Sequence, residues 1–318
     1  HGLVGSEMCI GGRPGGRLMG GDMLILGRSG QVAAATASMA RAGGRRVRIL
    51  ARPEIDLAQP GEIARALDPV LLAAPPGSIL VNAAAYTDVN RAESEPGLAH
   101  RINALTPGIL AERCGQAGIP MIHLSSDYVY DGDKDTPYLE ADACRPLSVY
   151  GRSKLAGDEA VRRSAARHVI VRTSAVFSGT GQNFLRTMLK LGSQQGRVRV
   201  VHDQRTCPTS AADIAAAITA IADRLAEGET ESGVFHFCGD TPRSWAEFAG
   251  DIFEAATRLG EAAVSVDRIG SEDFASPARR PGYSVLNCDA IARDFAISQP
   301  DYRTALPRCV AHALAAPE

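Results

Sequence analysis

The sequence carries no excess of basic charge. Its 34 Lys and Arg stand against 36 Asp and Glu, for a formal charge of −2. A nucleic-acid backbone or an anionic membrane surface finds no net cation to hold it, so neither is an expected partner. No apolar run approaches the roughly 20 residues that a membrane-spanning helix needs. The seven cysteines (Cys9, Cys114, Cys144, Cys207, Cys238, Cys288 and Cys309) include no C-x-x-C pair. An odd, dispersed set in a chain this long reads as reduced thiols in a cytoplasm, the expected location, and not as a disulfide framework. The seven histidines include no H-x-x-x-H or H-E-x-x-H pair, and no metal is expected. Internal repeats and low-complexity tracts are missing too.

What is present is ordinary globular material, with 45% apolar and 22% charged residues, which excludes disorder and coiled coil. A length of 318 residues suggests two domains, or one large α/β unit with an appendage. Residues 1–22 hold eight glycines, no cationic n-region and no apolar h-region, so they read as a flexible leader and not a secretory signal. The fold is expected to begin at Met23.

Met23-Leu24-Ile25-Leu26 is a short apolar run, consistent with a buried parallel strand. Gly27-Arg28-Ser29-Gly30-Gln31-Val32-Ala33 follows and leads into an Ala-rich helical stretch. This is a G-x-x-G-x-x-A turn between strand and helix. Small residues there let backbone N–H groups at a helix start approach a pyrophosphate, although such a turn is often only a tight turn. A second strand, Arg46 to Leu50, ends at Ala51-Arg52, where NAD-binding sites of this kind carry an acidic residue for the ribose 2′-hydroxyl. A guanidinium in place of a carboxylate favours a 2′-phosphate, so NADPH is the expected cofactor, with NADH as the alternative. Helical residues 62–72 and a strand at 78–82 complete a β-α-β-α-β run, the pattern of a doubly wound parallel sheet.

Two later segments carry the chemistry. Residues 120–124 form another apolar run, followed by Ser125-Ser126-Asp127-Tyr128, which places hydroxyls where open α/β sheets bind ligands. Tyr150 and Lys154 are four apart, hence neighbours on one helix face. A nearby ammonium favours the phenolate and is expected to lower the tyrosine toward neutrality. Tyr150 is then a general acid able to protonate a carbonyl oxygen, with Ser126 hydrogen-bonded to the same oxygen.

In this order the motifs resemble those of extended short-chain dehydrogenases/reductases, and most closely the dTDP-4-dehydrorhamnose reductase family. The segments that carry the resemblance are LILGRSGQV (24–32), VNAAAYTDVNRAESEP (81–96), HLSSDYVYDG (123–132), PLSVYGRSKLAGDEA (146–160), VRTSAVF (171–177), DQRTCPT (203–209) and SPARRPGYSVLN (276–287). NAAAYT followed by RAESEP is far more specific than the glycine turn. The resemblance implies that Gly27, Gly30, Gln31 and Val32 lie along the cofactor pyrophosphate and that Asp56 and Leu57 lie near the adenine, with Arg52 beside the ribose. It implies Ala83, Ala84, Ala85, Tyr86 and Thr87 on the nicotinamide side, and Asn103 as support for the active-site lysine. Ser126, Tyr150 and Lys154 would be catalytic, with Lys154 also bonded to the nicotinamide ribose. Asp127, Tyr128 and Ala175 would face the sugar. The implied activity is NADP(H)-dependent reduction of a nucleotide-activated 4-keto-6-deoxy sugar, dTDP-4-dehydro-L-rhamnose first. Another nucleotide keto sugar, or a non-catalytic nucleotide-binding regulatory subunit, is the alternative. A homodimer is left open.

Some positions depart from the family pattern. Ala175 stands where a tryptophan usually packs on the sugar, Ser126 where threonine is commoner, and Thr206 where glycine is preferred. Arg279-Arg280-Pro281 suits recognition of a diphosphate. Glu93 and Glu95 read as solvated, and His123 as an interior residue. Ser244 with Glu247 three later forms a capping-box pattern before a helix that Trp245 anchors. The expected architecture is α/β: a Rossmann-type domain over 23–176, to which 203–225 returns, and a smaller C-terminal substrate-binding domain over 177–202 and 226–318.

Overall fold

A computed structural model describes residues 21–164, 166–228 and 232–316. Strands β1 (Met23–Leu26), β2 (Val47–Leu50), β3 (Ile79–Asn82), β4 (Met121–Ser126) and β5 (His168–Thr173) lie in one sheet. Its order is β2-β1-β3-β4-β5, with Gly233–His236 on the far edge, and every pairing is parallel. The strands are apolar without alternation because both faces are covered. Met23, Ile25, Ile79, Val81, Ile122, Val169 and Val171 enter one core. Leu24, Leu26, Leu80, Met121 and Ile170 enter the other. Strand order reverses between β1 and β3, which opens a crevice beyond the carboxyl ends of the strands.

The first helix, Gln31–Ala42, packs on the helix Ala211–Glu227, while Pro60–Ala73 and Thr106–Ala117 cover the opposite face. A third core lies apart from the sheet, among the helices Phe184–Gln195, Trp245–Arg258 and Tyr302–Ala315. It is backed by a parallel pair of strands, Arg197–Val201 and Ser265–Ile269. The capping box is formed there: Ser244 Oγ accepts from Glu247 N–H at 3.1 Å, and Glu247 accepts from Ser244 N–H at 2.8 Å. Trp245 packs on Phe184, with ring centroids 4.7 Å apart.

Two expected boundaries do not follow the packing. Gly233–His236 belongs to the main sheet, and Val285, Leu286, Ile291 and Phe295 join its core, so the stretch from 226 onward is shared between both bodies. Residues 1–20 of the expected leader lie outside the described residues, but Asp22 is already part of the fold. Its carbonyl accepts from Ile79 N–H at 2.9 Å, and its own N–H donates to Ser78 Oγ at 2.9 Å. No helix among the described residues is long and apolar enough to cross a membrane, and none of their His, Cys, Asp and Glu groups could hold a metal.

Candidate active site

A cleft of about 930 Å³ runs along the carboxyl ends of β1 to β5. The glycine turn forms one wall. Gly27 has φ +111°, and a Cβ there would sit 3.2 Å from Ala33 Cβ, so both the backbone and the helix approach require glycine. Gly30 has an ordinary φ, and a Cβ on it would make only ordinary contacts, with the Ala83 carbonyl at 3.8 Å and Ala33 Cβ at 3.9 Å. Its small size therefore leaves room on the cleft side, ahead of the helix N-terminus, where an anion is favoured. Val32 and Gln31 follow on the same wall. Gln31 also does something the sequence did not show: its Oε1 accepts from Ser178 at 2.8 Å and from Asn183 at 2.9 Å. These bonds hold Gly181 and Gln182 over the cleft.

At the end of β2, Arg52 lines the cleft with its side chain exposed, and Arg28 from the glycine turn faces the same space. The acid nearest Arg52 in sequence, Glu54, is bound to Arg48 at 2.5 Å. Asp56 closes a turn by accepting from Ala58 N–H at 3.0 Å, and Leu57 accepts from Thr106 at 2.9 Å. At the end of β3, Ala83, Ala84, Ala85 and Thr87 line the cleft. The Tyr86 side chain turns to Glu95, donating to it at 2.7 Å, and burial pushes its hydroxyl up to about 12. Asn103 accepts from Tyr86 N–H at 2.8 Å and donates to Ser153 at 3.0 Å. Its side-chain hydrogen bond to the helix Val149–Arg163 thus goes to Ser153. Glu93 is not merely solvated either, since it accepts from Val149 N–H at 2.8 Å and caps the start of that helix.

The helix Val149–Arg163 begins at Ser148, whose Oγ accepts from Gly151 N–H at 3.1 Å. Gly151 sits against Tyr128, whose carbonyl oxygen would be 2.2 Å from a Cβ at 151. That close approach brings Tyr150 to the end of β4. The Tyr150 and Tyr128 rings meet edge to face at 6.0 Å, and the Ser126 hydroxyl lies beside Tyr150. Lys154 is 2% exposed and donates to the Leu124 carbonyl at 2.6 Å. The expected lowering of the tyrosine is not found. Burial, with Asp127 and Asp158 adding to it against the opposing Ser126 hydroxyl, pushes Tyr150 up to about 12. Burial also pulls Lys154 down to about 8, with Asp158 opposing. Tyr150 is therefore protonated at neutral pH, the form that can give a proton away.

Beside it, Asp127 is 3% exposed and holds three hydroxyls from three segments. It accepts from Ser126 at 3.1 Å, Ser284 at 2.6 Å and Thr206 at 3.4 Å. Burial raises its carboxyl to about 6 against those hydrogen bonds. Burial and the Asp127 charge push Tyr128 well above the usual phenol range, with Arg280 opposing. Arg280 donates to Asn90 at 2.9 Å and to Ser276, so it is fixed in place, whereas Arg279 is exposed. The expected arginine pair is thus split. Ala175 has φ +42°, a conformation costly for a residue with a side chain, and its carbonyl accepts from Thr209 N–H at 3.2 Å. It precedes Val176, which lines the cleft. Ser125 and Thr173 line it as well. Their strand-end positions are the signal that would have found them.

Crossovers, sheet order and strand-end cleft define a Rossmann-like α/β protein. The chain belongs to the RmlD substrate-binding-domain family, whose model matches residues 21–315. It is 41% identical over 290 residues to a dTDP-4-dehydrorhamnose reductase of Sinorhizobium fredii, covering 91% of this chain and 96% of that relative. A reductase of the same name from Burkholderia thailandensis is 40% identical over 299 residues, covering 91% and 97%. Among solved structures, the dTDP-4-dehydrorhamnose reductase of Clostridium acetobutylicum superposes with a TM-score of 0.82 at 30% identity, over 91% of this chain and 98% of that one. The Bacillus anthracis reductase, in complex with NADP, gives a TM-score of 0.83 at 28% identity over 92% and 99%.

Proposed function

We propose that this protein reduces dTDP-4-dehydro-L-rhamnose to dTDP-L-rhamnose with NADPH. One observation carries the reading: Tyr150, beside the Ser126 hydroxyl and one helical turn from a buried Lys154, lines a dinucleotide-sized cleft. Relatives at about two-fifths identity over nearly the whole chain bear that reductase name. The cleft fits the cofactor chemically. Backbone N–H groups and the open side of Gly30 suit a pyrophosphate, and Arg28 with Arg52 suits a 2′-phosphate. Lys154 offers the remaining ammonium donors to a ribose. When bound, NADPH supplies the hydride that reduces the keto carbon.

The protein's own part is the proton. Tyr150 gives its phenolic proton to the oxygen as negative charge develops there, and Ser126 donates a hydrogen bond to the same oxygen. Lys154 keeps positive charge beside the phenolate left behind. Arg280, fixed by Asn90 and Ser276, lies against Tyr128, where it can pair with a diphosphate, with Arg279 as a solvent-side second contact. We take the sheet with its cleft as the cofactor-binding body and the third core as the substrate-binding body. Ala175 favours one other substrate reading: with no indole there, a different nucleotide keto sugar fits the same chemistry. Steady-state NADPH oxidation against a panel of nucleotide 4-keto sugars decides. Turnover of the dTDP-4-dehydro-L-rhamnose member at the highest kcat/KM is expected. Preference for another sugar would move the substrate assignment, and cofactor binding without any turnover would favour a regulatory subunit.

A further inference from the structure

The sheet face beneath the catalytic helix carries a polar row in an otherwise apolar core. Asn82 and His123 are register partners on β3 and β4, and Ser125 and Arg172 are register partners on β4 and β5. All four are buried, as are Lys154 and Asp158 above them. Asp158 follows Lys154 by four residues, so both lie on one helix face with Cβ atoms about 5–6 Å apart.

The two Asp158 oxygens differ. Oδ2 accepts from Arg172 Nε at 3.0 Å, and Arg172 in turn donates to the Tyr130 hydroxyl at 2.8 Å. Oδ1 has no hydrogen-bond partner, although it is buried. His123 Nε2 lies 3.9 Å from it and is also unpartnered. The Asn82 amide donates to His123 Nδ1 at 3.1 Å, which leaves the histidine proton on Nε2 and the ring neutral. Ser125 lies close to Asp158 without meeting it in hydrogen-bond geometry. One carboxylate oxygen is therefore anchored and the other is uncommitted, one turn from an ammonium that donates to the Leu124 backbone carbonyl.

A buried ammonium with so little compensation sheds its proton. We infer that Asp158, held in place by Arg172, is a positioning residue that keeps Lys154 charged through its uncommitted oxygen. The other ionisable groups around Lys154 cannot substitute. On its own helix there is Tyr150, on β4 there is the neutral His123, and just past the end of β4 there is Asp127, whose carboxyl is committed to three hydroxyls. On β5 there is Arg172, a like charge. From the segments packed on the other side, Glu93 is bound to Val149 N–H, and His100 and Arg101 are exposed.

The inference rests on the cleft being an NADPH site, and cofactor binding tests it without any sugar. The Kd for NADPH, read from cofactor fluorescence, is followed from about pH 6 to about pH 10 in wild type, Asp158→Asn and the double variant Asp158→Asn/Arg172→Gln. The double variant leaves no buried guanidinium at 172 without its carboxylate, so it removes the anion without the destabilisation a lone Arg172 brings. Wild-type binding should weaken above about pH 8, where Lys154 loses its proton. In both variants the weakening should begin about 1–2 pH units lower. Near pH 8 they should then bind about 5-fold or more weakly, while near pH 6 all three proteins agree within about twofold. Asp158→Glu, which keeps the charge, should restore the wild-type limb. An unmoved limb, or equal weakening at every pH, overturns the role of Asp158 alone. A wild-type protein that binds no NADPH at any pH overturns the cofactor reading with it.

Discussion

Gly157→Ala asks whether helix packing positions the chemistry. Gly157 faces the π-helical segment Arg101–Leu105, and a Cβ there would lie 2.0 Å from the Asn103 carbonyl oxygen and 3.2 Å from its carbon. An ordinary C···O contact is about 3.3 Å, so the two elements must part by about 1 Å. The obstacle is backbone and cannot rotate aside, and the same residue holds Tyr86 and Ser153 through its side chain. Overpacking of this kind costs about 1–3 kcal/mol, and each kcal/mol lowers the melting temperature by about 1.5 °C in a chain of 318 residues. Lys154 is three residues away on the same helix, and Tyr150 lies a further turn along. A displacement of about 1 Å at reacting groups costs about 10²-fold in rate. Thermal unfolding and kcat/KM should therefore both fall. Gly250→Ala is the control, because a Cβ there meets nothing within 4 Å in the helix Trp245–Arg258, and that variant should gain about 0.5–1 kcal/mol. If Gly157→Ala melted and turned over like wild type, close contact between these helices could not be what places Tyr150 and Lys154.

Tyr150→Phe should cost roughly 10²–10⁴-fold in turnover with NADPH affinity nearly unchanged, and Ser126→Ala should cost less. Near-normal turnover of Tyr150→Phe would point instead to Tyr128, its edge-to-face neighbour at 6.0 Å. Arg52→Ala removes a charge-assisted contact worth about 1.5–3 kcal/mol, so NADPH should bind about 10–100-fold more weakly with NADH unchanged; equal weakening of both cofactors would contradict a 2′-phosphate role. Burial raises Asp127 to about 6, while an unfolded aspartate titrates at about 3.9. Its contribution to stability is then full below about pH 4 and lost as pH rises through about 6. Urea midpoints at about pH 4 and about pH 7 should accordingly differ less in Asp127→Asn than in wild type, and identical pH dependence would refute the shift.

The parallel sheet was legible because both of its faces are buried, which leaves strands such as Leu80-Val81 and Val169-Ile170-Val171 apolar throughout. The glycine turn, the strand-end Ser126, the Tyr150–Lys154 spacing and the Ser244–Glu247 box were local patterns and could be read locally. What escaped was long-range. Gln31 meets Ser178 and Asn183 across 147 and 152 residues of chain, and Glu93 reaches Val149 across 56. No period or spacing encodes such pairs. Gly233–His236 is a short strand whose membership is fixed only by its parallel partner β5. The direction of the Tyr150 shift was misjudged for a related reason. Spacing revealed the ammonium four residues away but not the burial, nor Asp127 and Asp158, all of which raise the tyrosine.

The reduction can be followed by its hydride. NADPH carrying deuterium on the transferable position of the nicotinamide, incubated with the wild-type protein and dTDP-4-dehydro-L-rhamnose, should yield dTDP-L-rhamnose bearing the label at the sugar's C4, read by NMR or mass spectrometry. The proton delivered from Tyr150 should appear on the neighbouring oxygen and exchange with water. Oxidation of NADPH with no deuterium at C4, or no oxidation with this sugar at all, would contradict a direct reduction of the 4-keto carbon in this site.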